Sequence, residues 1–387
     1  MMKFAEGLAK AKEKYCNQMR KKYHIDALNK STFGVTYYDA CSKPHTDAEK
    51  TANALGFESV YLYGSRLSKL GQPVWKKVLL HIYNLSYQAY VLWQARRLDG
   101  IKDADIFIQY GFSTESMFSI VRKLKKNNNR IILLIHDLDS LRLDGEGSSV
   151  ASAYLRKLHR NEKDLLRNTD VVIAHSEPME KELRKLGYSG TIETLRFFDY
   201  LNTYEAGQDT TDIKNDINIV FAGNLEKSLF VRKLHTLKPY PNLHYHLYGK
   251  QADGIPTSES VIYKGCFQND DIAGIDGTWG LVWDGESVDT CKGNFGEYLK
   301  INAPFKFSLY LAKGLPVIVW KDSAMAKYVE EYGLGITVDS LNDIYPTIQR
   351  LSAPQVEQIK ENVRKYSASV KKGEMLSQVL RKVIHHR

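Results

Sequence analysis

Twice along this chain, short apolar runs bounded by turn residues alternate with longer stretches of helical periodicity, and this double alternation restricts the fold more than any other feature. The first series reads FGVTYYD, SVYLYG, DIFIQYG, RIILLIHD and VVIAHS, within residues 33–176. The second reads NIVFAGN, HYHLYGK, SVIYKGCF, TWGLVWDG and GLPVIVW, within residues 218–320. Strand-length runs separated by amphipathic helices form parallel sheets with helices on both faces. Two such series predict two Rossmann-like α/β domains.

The hydrophilic passage at 202–217, NTYEAGQDTTDIKNDI, interrupts the pattern and reads as the linker. The expected organisation is a helical extension over 1–30, an N-terminal Rossmann-like domain over 31–201, the linker, a C-terminal Rossmann-like domain over 218–365, and a closing helix over 366–387. The 387 residues suit two domains. The segment WKKVLLHIYNLSYQAYVLWQARR, 75–97, reads either as a core-packing helix with snorkelling basic ends, the preferred reading, or as a helix lying on a membrane surface. No window approaches the roughly 18 apolar residues of a spanning helix.

A net charge of +9 favours an anionic partner. Cys16, Cys41, Cys266 and Cys291 lie too far apart to signal a zinc ribbon or a disulfide framework. The first residues, MMKFAEGLAKAKEKYC, carry no apolar core of a signal peptide. The expectation is a cytoplasmic protein.

Open parallel sheets bind ligands beyond the carboxyl ends of their strands. In the second half three loops meet that description: GNLEK at 223–227, the Gly249–Lys250 turn, and the loop entering NAPFKFSLYLAKG at 302–314. Pro304 suits a first helical turn, Asn302 suits a cap, and the free N–H groups there attract an anion. Lys306 opposes the helix dipole, and a local conflict of this kind points to function, here a phosphate. Ser308 lies on the same helix start. Gly223 permits close backbone approach, Asn224 suits the turn, and Lys227 supplies a second cation.

The sequence contains no GxGxxG, GxxxxGK[ST] or GxSxG. His244 and His246 share a strand face without a third ligand nearby, so no metal site is expected. In the first half, IHDLDSLR sets His136, Asp137, Asp139 and Arg142 at a strand end, where His136 or Asp137 can serve as a base and Arg142 can hold an anion. Asp137 with Asp139, and Asp103 with Asp105, also spell DxD. That short pattern recurs by chance and would leave the second α/β half without a role.

The run NAPFKFSLYLAKGLPVIVWKDSAMAKYVEEYGLGITVDSL, through Asn302, Pro304, Lys306, Tyr310, Gly314 and Pro316, resembles the donor-binding region of bacterial GT-B glycosyltransferases. The group is the one containing the adhesin-modifying glucosyltransferase of streptococci and the β-galactofuranosyltransferases of surface polysaccharides. PHTDAEKTANALGF, IQY, IHDLDSLR, VVIAHSEPMEKELRKLG and VFAGNLEKS extend the resemblance over most of the chain. Where a proline is expected after IQY, Gly111 stands.

The resemblance implies the GT-B form of the α/β class, two Rossmann-like domains facing a cleft. The C-terminal domain would bind a UDP-sugar and the N-terminal domain a glycan acceptor, on a lipid carrier or a glycoprotein, with transfer of glucose, galactofuranose or galactose. Lys306 and Lys227 would contact the diphosphate, and Tyr248, Tyr263 and Phe267 would hold the uridine. The resemblance also implies inversion, which needs a base: Asp137 first and His136 second, with Asp39, His45 and Asp47 also following strand ends. Two lysines and a helix N-terminus can offset the charge of leaving UDP without a metal. No cofactor and no nucleic acid are expected; a membrane surface and a homo-oligomer stay open as partners. The rival reading is a non-catalytic glycan-binding or scaffolding protein, against which the lysine pair speaks.

Overall fold

A computed structural model describes residues 20–26, 42–62, 74–111, 115–143, 152–205, 212–250 and 253–385. The first domain is built on β1 (Lys22–Asp26), β2 (Glu58–Tyr61), β3 (Asp105–Tyr110), β4 (Arg130–Ile135), β5 (Val171–Ala174) and β6 (Thr191–Thr194), in the order β2-β1-β3-β4-β5-β6. Its helices are α1 (Ser42–Ala54), α2 (Val74–Gln94), α3 (Glu115–Lys126), α4 (Asp139–Leu143), α5 (Ser152–Arg167) and α6 (Glu177–Lys185). The second sheet comprises β7 (Ile217–Ala222), β8 (Leu243–Tyr248), β9 (Val261–Gly265), β10 (Trp279–Val282), β11 (Val317–Trp320) and β12 (Gly335–Val338), in the order β12-β11-β10-β7-β8-β9. With it go α7 (Asn294–Tyr298), α8 (Phe305–Lys313), α9 (Ala324–Tyr332), α10 (Ile344–Arg350), α11 (Ala353–Lys371) and α12 (Glu374–His385).

Neighbouring strands pair in parallel throughout both sheets. The near-continuous apolar runs follow from this, because helices cover both faces and strands such as β3 are buried along their whole length. The second sheet advances from β7 to β8 and β9, then restarts with β10 on the other side of β7. The crevice at the carboxyl ends of β7 and β10 is therefore a topological switch point, where open α/β sheets receive ligands.

Helix α8 is fixed over that crevice by Tyr310. Its hydroxyl accepts from the Ala222 N–H at 2.9 Å and donates to the Leu281 carbonyl at 3.1 Å, tying the helix to β7 and β10. Gly280 makes room, since a methyl group there would stand 2.1 Å from the Tyr310 ring. Lys306 lies one turn before Tyr310 on the same helix face, so its side chain reaches the switch point.

Three expectations change. Residues 22–26, expected in the helical extension, form β1 between β2 and β3, because long-range pairing overrides a local helical period. Residues 1–19 and the FGVTYYD segment lie outside the described residues. The closing helix is two helices broken at Gly373, whose φ is +76°. The second of them, α12, returns to the first domain: the Asp199 carboxylate accepts from the N–H groups of Met375 (3.0 Å) and Leu376 (2.8 Å), and Arg130 donates to the Val383 carbonyl at 2.8 Å. Finally, α2 is not a core helix along its length. Val91 packs with Ala95 and Leu98, just past its end, against α3, but most side chains nearer its N-terminus are exposed.

Candidate active site

Between the domains lies a cleft of about 660 Å³ lined from both sides. On the C-terminal wall the Lys306 ammonium donates to the Trp283 carbonyl at 3.1 Å and to the Asp284 carboxylate at 3.2 Å, and sits 4.4 Å from the centre of the Phe221 ring. Gly223 borders it: a methyl group there would come within 3.8 Å of the ammonium. Gly249 has a stricter reason to be glycine. Its φ is +153°, and a methyl group would fall 2.0 Å from the Gly223 carbonyl oxygen, so the loops after β7 and β8 can touch only without a side chain.

Asn224 lines the cleft, and its side-chain oxygen accepts from the N–H groups of Glu226 and Lys227, both at 3.0 Å. It thereby shapes the turn that presents Lys227. Pro304 rather than Asn302 occupies the N-cap of α8, with extended backbone at ψ 134°. Asn302 stands two residues too early to cap, and its buried Oδ1, on the cleft, has no hydrogen-bond partner. A buried acceptor in that condition costs about 1–3 kcal/mol until something donates to it. Tyr248 and Phe267 meet edge to face at 5.7 Å, and both line the cleft.

Two expected donor residues are not part of this wall. Ser308 is fully buried and donates to the Phe198 carbonyl at 2.6 Å; two residues beyond Lys306 it points to the other side of α8. Tyr263 stands outside the lining on the edge strand β9, 41% exposed, with its hydroxyl donating to the Gly249 carbonyl at 3.0 Å.

On the N-terminal wall Asp137 accepts from Arg142 at 2.9 Å, while the same guanidinium binds Asp139 at 2.5 Å. Burial pushes the Asp137 carboxyl up to about 6, against the pull of Arg142 and, more weakly, of Lys227 from the opposite wall. Both carboxylates of the Asp137–Asp139 pair are thus held by one arginine. Asp105, of the second DxD, begins β3 and lies at the sheet end away from the cleft. Among the described residues no group of three or more His, Cys, Asp or Glu side chains is arranged to hold a metal ion.

His136 also lines the cleft, stacked on Phe198 at 5.2 Å and close to the His45 ring at 3.8 Å. Burial, then the neighbouring His45 and His175, hold its imidazole well below the usual histidine range. Its tautomer is set by Gln109 on β3. The Gln109 amide nitrogen lies 3.1 Å from both the His45 carbonyl and His24 Nε2, which turns its oxygen toward His136 Nε2 at 2.8 Å. His24 Nδ1 in turn lies 3.3 Å from the Ser59 hydroxyl, which donates to Asn53 at 2.9 Å. Every partner in that chain is consistent with a proton on His136 Nε2, leaving Nδ1 as the basic nitrogen. Gly111 permits the arrangement, because any side chain there, proline's included, would press on His136, whose Cβ lies 2.9 Å from where a methyl group would stand.

Of the other strand-end residues, His45 reaches the cleft and Asp47 does not. Asp47 is buried against Lys43 at 3.1 Å and the Leu201 N–H at 2.9 Å; Asp39 lies outside the described residues. Sequence reasoning missed His175 and Ser176, which follow β5. His175 Nδ1 accepts from the Ala303 N–H at 3.2 Å, and the Ser176 hydroxyl donates to the Ile301 carbonyl at 2.6 Å. They pin the loop entering α8 to the first domain. A histidine ending the buried run VVIA was the available signal.

Comparison with known proteins agrees with this architecture. The family described as glucosyltransferase 3-like, N-terminal domain, matches residues 22–197, and the corresponding C-terminal domain matches residues 219–383. The β-1,6-galactofuranosyltransferase WbbI of Escherichia coli (strain K12) is 31% identical over 297 residues, 74% of this chain and 81% of that protein. Glucosyltransferase 3 of Streptococcus gordonii is 25% identical over 352 residues, 90% of this chain and 95% of its own. Among solved structures, sucrose-phosphate synthase from Thermosynechococcus elongatus superposes with a TM-score of 0.58 at 12% identity, covering 94% of this chain and 98% of its own. WaaG, a glycosyltransferase involved in lipopolysaccharide biosynthesis, gives 0.56 at 11% identity over 94% of this chain and 98% of its own. These structural likenesses show the GT-B fold.

Proposed function

This chain belongs to the glucosyltransferase 3-like family of GT-B glycosyltransferases, and we propose that it moves a hexose from a UDP-sugar to a glycan acceptor, with inversion and without a metal. The observation that carries the reading is the meeting of Lys306 at the β7–β10 switch point, Lys227 beside it, and Asp137 opposite, in one interdomain cleft.

In this reading the diphosphate lies against Lys306 and Lys227 at the N-terminus of α8. As the sugar–phosphate bond breaks, negative charge grows on the leaving UDP, and two ammonium groups with the helix N–H dipoles offset it. The unpaired oxygen of Asn302 accepts a donor hydroxyl, and Tyr248 with Phe267 flanks the uracil. Asp137 takes the proton of the acceptor hydroxyl as that oxygen attacks the anomeric carbon. A carboxyl near 6 is ionised at neutral pH yet more basic than an ordinary aspartate. Relatives named for galactofuranose and for glucose transfer support glucose, galactofuranose or galactose as the hexose to test.

Incubation with UDP-glucose, UDP-galactose and UDP-galactofuranose in EDTA, with released UDP as the readout, tests this. At least one donor is expected to be slowly hydrolysed, and the rate is expected to collapse in Lys306→Ala. No turnover of any donor, together with no binding of UDP, contradicts the proposal.

A further inference from the structure

The exposed face of α2 has no part in the cleft. Trp75, Val78, Leu79, Ile82, Tyr90 and Trp93 follow the i, i+3, i+4 pattern of one helix stripe, and each is more than half exposed, Trp75 at 66% and Trp93 at 60%. From Trp75 to Trp93 the stripe runs about 27 Å. Its polar member Ser86 donates its hydroxyl to the Ile82 carbonyl at 3.1 Å, which leaves the surface between the two tryptophans apolar. Tyr90 and Trp93 stack at 5.8 Å. A soluble protein rarely leaves so long an apolar strip to water.

Charge selects what covers it. No Asp or Glu occurs from Val74 to Leu98, while Lys76 stands at one end of the stripe and Arg96 and Arg97 at the other. Lys76 opposes the helix dipole, which has no acidic residue in the first turn to offset it. Asp99, the first acid after the helix, is taken by Lys123 at 2.6 Å. Among the described residues no ion pair engages Lys76, Arg96 or Arg97. A second copy seated stripe to stripe would oppose cation to cation whether the helices ran parallel or antiparallel. An anionic bilayer meets both requirements, taking the apolar stripe below its headgroups and the cations among its phosphates, with tryptophans at the boundary.

We propose that α2 is a peripheral membrane-docking helix that lies in the surface of anionic phospholipid. The proposal does not depend on the transfer reaction; vesicle binding reads it independently of turnover.

Co-sedimentation of the full chain with phosphatidylcholine vesicles, with and without phosphatidylglycerol, is the test. Binding to the anionic vesicles is expected, weakened by salt and at least about tenfold stronger than to phosphatidylcholine alone. Leu79→Glu with Ile82→Glu is expected to abolish it, with unchanged far-UV circular dichroism and UDP binding. Arg96→Gln with Arg97→Gln is expected to weaken it about 30-fold, the worth of two cations beside anionic lipid. Failure of the intact protein to sediment with anionic vesicles overturns the proposal, as does binding that survives the double glutamate substitution. A dimer in sedimentation velocity that the glutamates dissociate, without vesicle binding, assigns the stripe to a second copy instead.

Discussion

Replacing Lys306 by alanine removes its ammonium group from the β7–β10 switch point and separates the proposed phosphate contact from the rest of the cleft. A hydrogen bond from an ammonium to a charged acceptor is worth about 1.5–3 kcal/mol, so UDP affinity should fall about 10-fold to 150-fold. The partner that Lys306 holds in the free protein, Asp284 at 3.2 Å, provides a control of opposite sign. A phosphate on the far side of the ammonium would lie roughly 6 Å from that carboxylate, and like charges at that distance repel by roughly 3 kcal/mol at an effective dielectric of about 20. Partial exposure reduces this to about 1 kcal/mol. Asp284→Asn, which keeps an acceptor for the Ser228 hydroxyl at 2.8 Å, should therefore tighten UDP binding about fivefold. Calorimetric titration of both variants with UDP, in EDTA, measures the pair. Unchanged affinity in a folded Lys306→Ala protein refutes the phosphate assignment, and weaker binding in Asp284→Asn refutes the electrostatic argument.

Asp137→Asn should reduce transfer by about 100-fold or more while leaving UDP affinity within about twofold, since a general base contributes about 10²–10⁴. In the parent enzyme kcat/KM should rise with pH through about 6 and then level off, because the base works only after losing its proton; a flat profile across that range would remove Asp137 from the role. Gln109→Leu removes the acceptor of the His136 Nε2–H and the amide contact to His24 Nε2. It should cost about 1–3 kcal/mol of stability and slow transfer about tenfold without changing UDP affinity, and Gln109→Glu should restore the acceptor for His136; denaturant melts paired with initial rates separate the two effects. Gly249→Ala drives a methyl group to 2.0 Å from the Gly223 carbonyl oxygen and should lower stability by at least about 2 kcal/mol, seen as a lower thermal midpoint and poorer soluble yield.

The legible parts of this protein are those where local chemistry and tertiary role coincide. The runs DIFIQY, RIILLI and PVIVW read as strands because they are buried on both faces. Lys306 could be singled out because a cation in a first helical turn is locally unfavourable, and the structure carries it to the strand switch point. β1 was misread because KYHID is polar and weakly patterned; only its neighbours β2 and β3 make it a strand. Ser308 was misassigned because a sequence interval does not say which way a helix faces until its packing is known. Gln109 left a trace that went unused, a primary amide inside a fully buried strand, which must find partners for three or four polar contacts. The contacts of His175 and Ser176 with Ala303 and Ile301 join positions more than 120 apart in the chain, so the histidine ending VVIA could mark the place without naming its partner.

In the proposed complex a UDP-sugar diphosphate sits between the lysines of the second domain, facing Asp137 of the first. A crystal structure of the UDP complex tests it most directly. Phosphate oxygens are expected within hydrogen-bond distance of Lys306 Nζ and Lys227 Nζ at the mouth of α8, with the uracil between Tyr248 and Phe267. UDP bound elsewhere, or bound in the cleft with its phosphates away from both lysines, would contradict it.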